Sequence, residues 1–428
     1  MAMAMLSGVF HTRATVIDMN AMKEWQTRLS QSRNATDSIT ALYNLFDISL
    51  RNDSGVYSAP LVRLTSRTKN FDVMLDVLRK LGNSMRADSM AYRNIRETIA
   101  QTPPSEDQYE SLLFIDLTRF NWEVSNMSDA QRMTLLQRLI NDYQDNPGQS
   151  LYDRILPLYR ITILLGRTVG GDLYSDYMDR LYLFIKELPD PDGPLSSLFY
   201  TQAATAYTFT NEPEKAVTAC KRLLEITQNL KERNQKRGYV YANYNSIEYI
   251  YLRRMLVNFP ALTDKEIEQY CGKLMELVEA DERLREEFNH LGRARGYYLV
   301  ATKRYAEAIP ELMKSLHNET DREFRTRVYP MIILSAKESG NQKVLNEISD
   351  DYIAMLEEER AARQVEKINE LQLLLDINAG SKERIRQINE SYINDTRQLT
   401  AALVIVSIIA AAATIMLIIT TAKHRRRH

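Results

Sequence analysis

Glycine and proline are scarce, at 14 and 12 among 428 residues, about half their usual combined share. A β-sandwich or a doubly wound fold needs glycine for turns and phosphate loops. So few breakers over so long a chain point instead to helices joined by short turns. Cysteine is scarcer still. Cys220 and Cys271 are the only two, which implies no disulfide framework. The histidines, His11, His290, His317, His424 and His428, gather near neither of them, and zinc requires three or four closely spaced ligands. No metal and no cofactor is therefore expected. Charge of one sign is not in excess either, with 55 Lys and Arg against 56 Asp and Glu and a formal net charge of −1, so there is no global basic field to draw nucleic acid. Enzymatic motifs are missing as well: no GxxxxGK(S/T), no GxGxxG after a strand, no HExxH, no GxSxG and no kinase signature. Gly170-Gly171 in TVGGDLY reads as a loop, and Glu357-Glu358-Glu359 as a solvated helix face. No catalytic residue is expected in this chain.

What is present is helical pattern. Hydrophobic residues make up 44% and charged residues 26%, a globular composition able to bury a sizeable core. Apolar residues recur at helical spacing, as in Ile39, Leu42, Leu45 and Phe46, then Leu135, Leu136, Leu139 and Ile140. Asn34, Thr36 and Asp37 precede the first set, and Ser128 and Asp129 the second, as candidate caps. Breaks fall at QTPPSED, QDNPGQ, LPDPDGP and TNEPE. The pattern predicts about sixteen helices before residue 340. A helix, turn, helix unit returning every ~35–40 residues is the pattern of an α-solenoid.

Two segments resemble tetratricopeptide repeats, whose period is about 34 residues. In FYTQAATAYTFTNEPEKAVTACKRLLEI, Ala204 takes the small position, Tyr207 the aromatic, and Ala216 and Cys220 the second helix. In HLGRARGYYLVATKRYAEAIPELMKSL, Gly296 is the small residue, Leu299 replaces the aromatic, and Tyr305 and Ala308 follow, then Leu312. Small residues let paired helices approach, and large ones fill the gap to the next pair. The remaining helices keep the pairing rhythm without that pattern, as degenerate repeats. Cys220 is expected in the core. The run RGYVYANYNSIEYIYLRRML holds Tyr239, Tyr241, Tyr244, Tyr249 and Tyr251. These side chains either line a face for a peptide or glycan or, as we favour, pack between helices with their hydroxyls at the rim.

Beyond residue 340 the grammar changes. Ile348, Tyr352, Met355, Val365, Ile368, Leu371 and Leu375 recur mostly by threes and fours in a charged surround, which resembles a coiled-coil seam. A parallel dimeric stalk is the expectation, because a helix charged on most faces and ~80 Å long is hard to stabilise alone. From Gln398 to Ala422 there is no charged residue. The 399–422 stretch is long enough to cross a bilayer core of about 30 Å. Lys423, Arg425, Arg426 and Arg427 follow at once, whereas the cations on the other side, Lys382, Arg384, Arg386 and Arg397, are sparser and mixed with Glu383, Glu390 and Asp395. Dense Lys and Arg favour the cytoplasmic face, which puts the C-terminus inside. The apolar start MAMAMLSGVF lacks a positive n-region and reads as a degenerate signal segment or an unstructured start.

The order of parts carries a second resemblance. Helical repeats, juxtamembrane coiled coil, one membrane helix and a basic exit are similar to the extracytoplasmic tetratricopeptide-like input region of a bacterial membrane sensor histidine kinase, and DSITALYNLFDIS and LYDRILPLYRITILLG look like its input helices. In that family the basic residues lead into a phosphoacceptor helix and an ATP-binding domain. Here the sequence ends at His428, so the resemblance implies an input module without the kinase.

The expected organisation is a candidate signal segment (1–20), an all-α helical-repeat domain (21–340), a coiled-coil stalk (341–398), a transmembrane helix (399–422) and a basic cytoplasmic tail (423–428). The expected function is a single-pass receptor of the bacterial inner membrane with its large domain in the periplasm. It would bind a protein, peptide or glycan and signal through a homodimeric stalk. The alternative is a tail-anchored tetratricopeptide-repeat scaffold for other proteins.

Overall fold

The computed structural model describes residues 19–49, 54–145, 148, 150–168, 171–240, 244–290, 293–317 and 322–358, with a scatter of further residues between 360 and 400. All regular structure among the described residues is helical, so the protein is all-α. The helices, in order, are α1 (Met19–Gln31), α2 (Ala35–Ser49), α3 (Ser54–Arg67), α4 (Phe71–Ser84), α5 (Ser89–Ala100), α6 (Glu106–Ser125), α7 (Asp129–Asp145), α8 (Leu151–Thr168), α9 (Gly171–Ile185), α10 (Pro194–Phe209), α11 (Pro213–Lys236), α12 (Tyr244–Val257), α13 (Asp264–Ala280), α14 (Glu282–His290), α15 (Arg293–Ala301), α16 (Tyr305–His317) and α17 (Arg322–Glu338). A further helix runs over 342–358, and the described residues from 360 to 400 are helical. The four breaks expected from proline and cap residues all fall between helices. The segment 1–18, the tail 423–428 and, apart from Thr400, the apolar stretch 399–422 lie outside the described residues. Among the described residues no helix is long and apolar enough to cross a membrane.

Two compact units divide the chain, Met1–Glu370 and Leu371–His428. Within the first, helices pack mainly on their sequence neighbours. The widest departure is α6, which touches α4, α5, α8 and α10. Its local chemistry suits that central place. Ser105 caps it by accepting from the Gln108 N–H at 3.1 Å. The Gln108 side chain donates to the carbonyls of Ile99, Ala100 and Thr102. One residue thereby satisfies the orphan carbonyls of the preceding helix. Ile115, Leu117 and Val124 are fully buried along α6. The α2 sequence is buried almost all round, with Ile39, Leu42, Tyr43, Leu45 and Phe46 all inside. Its start is capped as the sequence suggested, by Asn34, whose Oδ1 accepts from the Asp37 N–H at 2.8 Å. Ser128 and Gln131 exchange the same kind of bonds at the start of α7.

Four helix pairs share one turn. Between α3 and α4, α10 and α11, α15 and α16, and α17 and the 342–358 helix stands a single left-handed residue: Lys69 (φ 60°), Asn211 (60°), Lys303 (61°) and Gly340 (69°). The amide after it reaches back five residues. Asn70 donates to the Thr65 carbonyl at 2.9 Å, Glu212 to Tyr207 at 2.7 Å, Arg304 to Leu299 at 2.8 Å and Asn341 to Ala336 at 2.8 Å. The carbonyls of Asn70, Glu212, Arg304 and Asn341 then accept the first bond of the next helix. The end of one helix and the start of the next are thus fused around one residue. Lysine holds that conformation at a steric cost that glycine avoids. Lys69→Gly should therefore raise stability by about 0.5–1 kcal/mol, and Gly340→Val should lower it by more than about 1 kcal/mol. Urea midpoints at unchanged slope measure both.

Candidate functional site

The repeat residues named from sequence sit at helix junctions. Ala204, Ala216 and Cys220 are fully buried where α10 meets α11. Tyr207 is buried beside them, donating to Asp179 Oδ1 at 2.7 Å with Lys215 5.0 Å from its ring. In the α15–α16 pair, Leu299 and Ala308 are buried and Tyr305 is half-buried. Gly296 lets α16 come so close that a Cβ there would stand 2.6 Å from Leu312 Cδ2. Burial pushes the Cys220 thiol up to about 12 and the Cys271 thiol to about 11, so neither offers a reactive thiolate.

The stalk residues divide. Ile348 and Met355 are buried, and the Tyr352 ring stacks 5.8 Å from Tyr329 of α17. The start of that segment thus packs on the helical body, and the first unit extends to Glu370. Val365, Ile368, Leu371 and Leu375 are each more than half exposed. Lys423, Arg425, Arg426 and Arg427 lie outside the described residues.

The tyrosine run is interior. Tyr239, Tyr249 and Tyr251 are buried, Tyr244 is half-buried with its hydroxyl 2.5 Å from Asn234 Nδ2, and Tyr241 lies outside the described residues. Tyr239 belongs to a clasp between distant parts of the chain. Gly238 (φ 76°) ends the turn after α11. Its carbonyl accepts from Asn44 Nδ2 at 2.9 Å, and the Val240 N–H donates to Asn44 Oδ1 at 2.9 Å. The Tyr239 ring then stacks on Tyr43 at 3.9 Å, and Arg237 meets Asp72 at 2.9 Å.

Under this clasp lies a charged network. Lys80 Nζ donates to the Tyr43 hydroxyl at 2.7 Å and to Asp47 Oδ1 at 2.9 Å, and stands 3.4 Å from Asp76 Oδ2. Tyr43 donates to Asp76. Arg79 continues the network to Asp107 at 2.6 Å and Ser111 at 2.8 Å. Burial opposes the charge on Asp76, but Lys80 and Arg79 outweigh it and hold its pKa low. Asp47 is 5% exposed and its Oδ2 has no partner. Burial dominates there, and its pKa is raised despite Lys80. The Asp76 and Lys80 pair was visible at i, i+4 spacing. Their meeting with Asp47, Tyr43 and Tyr239 was not, because these come from three separate segments. Each cation here has a matching anion, which suits a structural joint.

Two other polar sites are less balanced. Glu110 of α6 is 5% exposed. Its Oε1 accepts from the Leu195 N–H at 3.3 Å, at the N-terminus of α10. A Cβ on Gly193 would stand 2.7 Å from that oxygen, so this approach requires glycine. Burial raises the Glu110 pKa to about 7, against the pull of the Leu195 amide and Arg79 and with help from Asp190 and Asp107. The second is Arg254 of α12. It is half-buried and donates to the Thr201 carbonyl of α10 at 3.3 Å. Around it stand the Tyr251 and Thr201 hydroxyls, 3.2 Å apart, and Asn258, whose Nδ2 donates to Thr208 Oγ1 at 3.2 Å. Arg327 of α17 donates to the Thr208 carbonyl at 3.0 Å. The lining is rich in donors and hydroxyls, the chemistry of binding an anion rather than of nucleophilic attack.

Among the described residues no group of three His, Cys, Asp or Glu side chains is placed to hold a metal. No protein-family model matches the chain, and no curated protein matches it.

Glu110 makes a testable contribution to pH dependence. Its folded pKa of about 7 exceeds its ordinary 4.5, so between those values the folded state binds more protons than the unfolded one. Stability is then greatest below about 4.5 and falls as pH rises to about 7, by about 3 kcal/mol in all. Glu110→Gln keeps an acceptor for the Leu195 amide and removes the charge. It should stabilise the protein at pH 8 by about 2–3 kcal/mol and change little at pH 4.5, as thermal unfolding at the two pH values will show.

Proposed function

We propose that this protein is a membrane-anchored helical-repeat receptor. Its helical body binds a ligand or a partner outside the cytoplasm, and a dimeric stalk passes the signal to the membrane segment. The observation that carries the reading is the exposure of Val365 and Ile368 at the end of the first unit and of Leu371 and Leu375 at the start of the second, at seam spacing in a charged sequence that leads to the uncharged stretch 399–422. An isolated helix in water does not retain such a row without a partner, and a second copy supplies the same spacing in parallel. The repeat reading of the body draws support from the turn common to four helix pairs and from the close approach at Gly296. Degenerate tetratricopeptide-like units fit both features. The likeness to the input half of a sensor histidine kinase rests on the order of these parts. Transmission would then be a change of packing between two arrangements of the stalk.

The stalk reading has a direct test. The full chain in non-ionic detergent should run as a dimer by light scattering. Ile368→Glu with Leu371→Glu should weaken that dimer more than about tenfold, equivalent to about 1.4 kcal/mol. A monomeric wild-type chain removes the stalk from the proposal.

Sidedness separates the receptor from a tail-anchored scaffold. A single Ser381→Cys, with Cys220 and Cys271 replaced by alanine, reports it in whole cells treated with a membrane-impermeant maleimide after opening any outer membrane. Labelling places the body outside, as proposed. Protection until lysis places it in the cytoplasm and supports the scaffold.

A further inference from the structure

We propose that the polar cluster around Arg254 is an oxyanion site that takes a carboxylate or a phosphate group. This deepens the receptor reading by naming the chemistry of what the body binds. It rests on ligand binding by the body and not on the stalk or the membrane.

Arg254 brings a charge without a matching anion. A guanidinium offers five N–H donors in a planar fork. Arg254 places one of them on the Thr201 carbonyl at 3.3 Å, a long contact for N–H···O. The titratable groups that bear on it are the Cys220 thiol, the Tyr251 hydroxyl and a second cation, Arg253. Arg253 already has its own anion, Glu287 at 3.1 Å, and Cys220 is neutral at physiological pH. Arg79 shows the contrast, because its equally inward guanidinium is shared between Asp107 and Asp76. A partly buried cation without a counterion loses hydration that nothing in its surroundings replaces. A methionine would fill the same space without that penalty.

The surroundings fit an incoming anion. The Thr201 hydroxyl donates to the Ser197 carbonyl at 2.8 Å and lies 3.2 Å from that of Tyr251, whose hydrogen can turn toward an incoming anion. The Asn258 amide lies one helical turn along α12 from Arg254, whose carbonyl it bonds at 3.0 Å. Thr201 and Thr208 lie seven residues apart on one face of α10, a rise of ~10 Å. Arg327 reaches the Thr208 end of that face and stacks 4.8 Å over Phe209. Among the described residues no carboxylate is among the groups that bear on Arg254. Arg254 is only partly buried, which leaves a route for an anion to enter. A planar carboxylate or a phosphate matches the fork with two parallel bonds.

The test uses the full chain in non-ionic detergent. Thermal unfolding is followed in sodium phosphate, sodium acetate and sodium chloride at one ionic strength, for wild type, Arg254→Met and Arg254→Lys. Phosphate or acetate should raise the wild-type Tm by a few degrees over chloride. Arg254→Met should lose that increment and, without ligand, unfold at a higher temperature than wild type because the unmatched charge is gone. Arg254→Lys should keep the charge and lose most of the increment, because it lacks the fork. Whichever of phosphate and acetate gives the increment identifies the source of the oxyanion. Equal Tm values for wild type in all three salts overturn the proposal, and so does an undiminished increment in Arg254→Met. Phosphate also stabilises folded proteins by exclusion from their surface, so if the methionine variant fails to fold, the difference in increment between wild type and Arg254→Lys decides. Light scattering on the same samples keeps the two readings apart. A monomer that responds to oxyanions retains this site and loses the stalk, and an unresponsive dimer does the reverse.

Discussion

The bidentate grip of Asn44 on the backbone of residues 238 and 240 is the contact on which the arrangement of the first unit turns. Helices that pack only on their sequence neighbours can be built one pair at a time, each pair indifferent to distant ones. The clasp ends that independence. It fixes the end of α11 against α2, buries Tyr239 on Tyr43 and covers the Lys80 network. The backbone groups it satisfies are among those a turn would otherwise leave to water. Asn44 itself is fully buried. An apolar residue there would remove both of these bonds.

Charge inside the body is treated in two ways. Lys80, Asp76, Asp47 and Arg79 are knitted together, and the network gains from a setting where each partner is held in place. Glu110 and Arg254 are not matched in that way. Glu110 rests on one amide of a helix terminus and resolves its burial by holding a proton near neutral pH. Arg254 has no such escape, since a guanidinium does not give up its proton in a protein. The two sites meet α10 separately, Glu110 at its N-terminus and Arg254 along its Thr201 face. That helix therefore meets two charges that lack a full set of partners.

Much of the architecture was legible in the sequence. Scarce glycine and proline, the periodic apolar sets and the caps at Asn34 and Ser128 lead to the all-α class and to the helix breaks. Proline was a poorer guide than it first looks. Pro60, Pro157, Pro310 and Pro330 stand inside helices, where neighbouring packing outweighs one lost hydrogen bond. The shared turn was hidden because three of its four pivots are Lys69, Asn211 and Lys303, which carry no glycine signal. The interior sites were hidden for another reason. Asn44, Lys80, Glu110 and Arg254 are ordinary helix residues by spacing, and their partners lie on helices that only the tertiary fold brings near. Ile348 and Met355 are buried while Val365 and Ile368 are exposed, which likewise divides a seam that reads as continuous.

The clasp also has a consequence in time. Asn44 and Gly238 are 194 positions apart. A ribosome adding about 5–20 residues per second delivers α2 on the order of 10–40 seconds before its partner segment exists. Through that interval the nascent chain carries Tyr43 and Asn44 uncovered and the Lys80 network open to water. Closure over so long a loop is among the slower events a chain undergoes. The first helices are consequently the part of this protein most in need of shelter while it is being made.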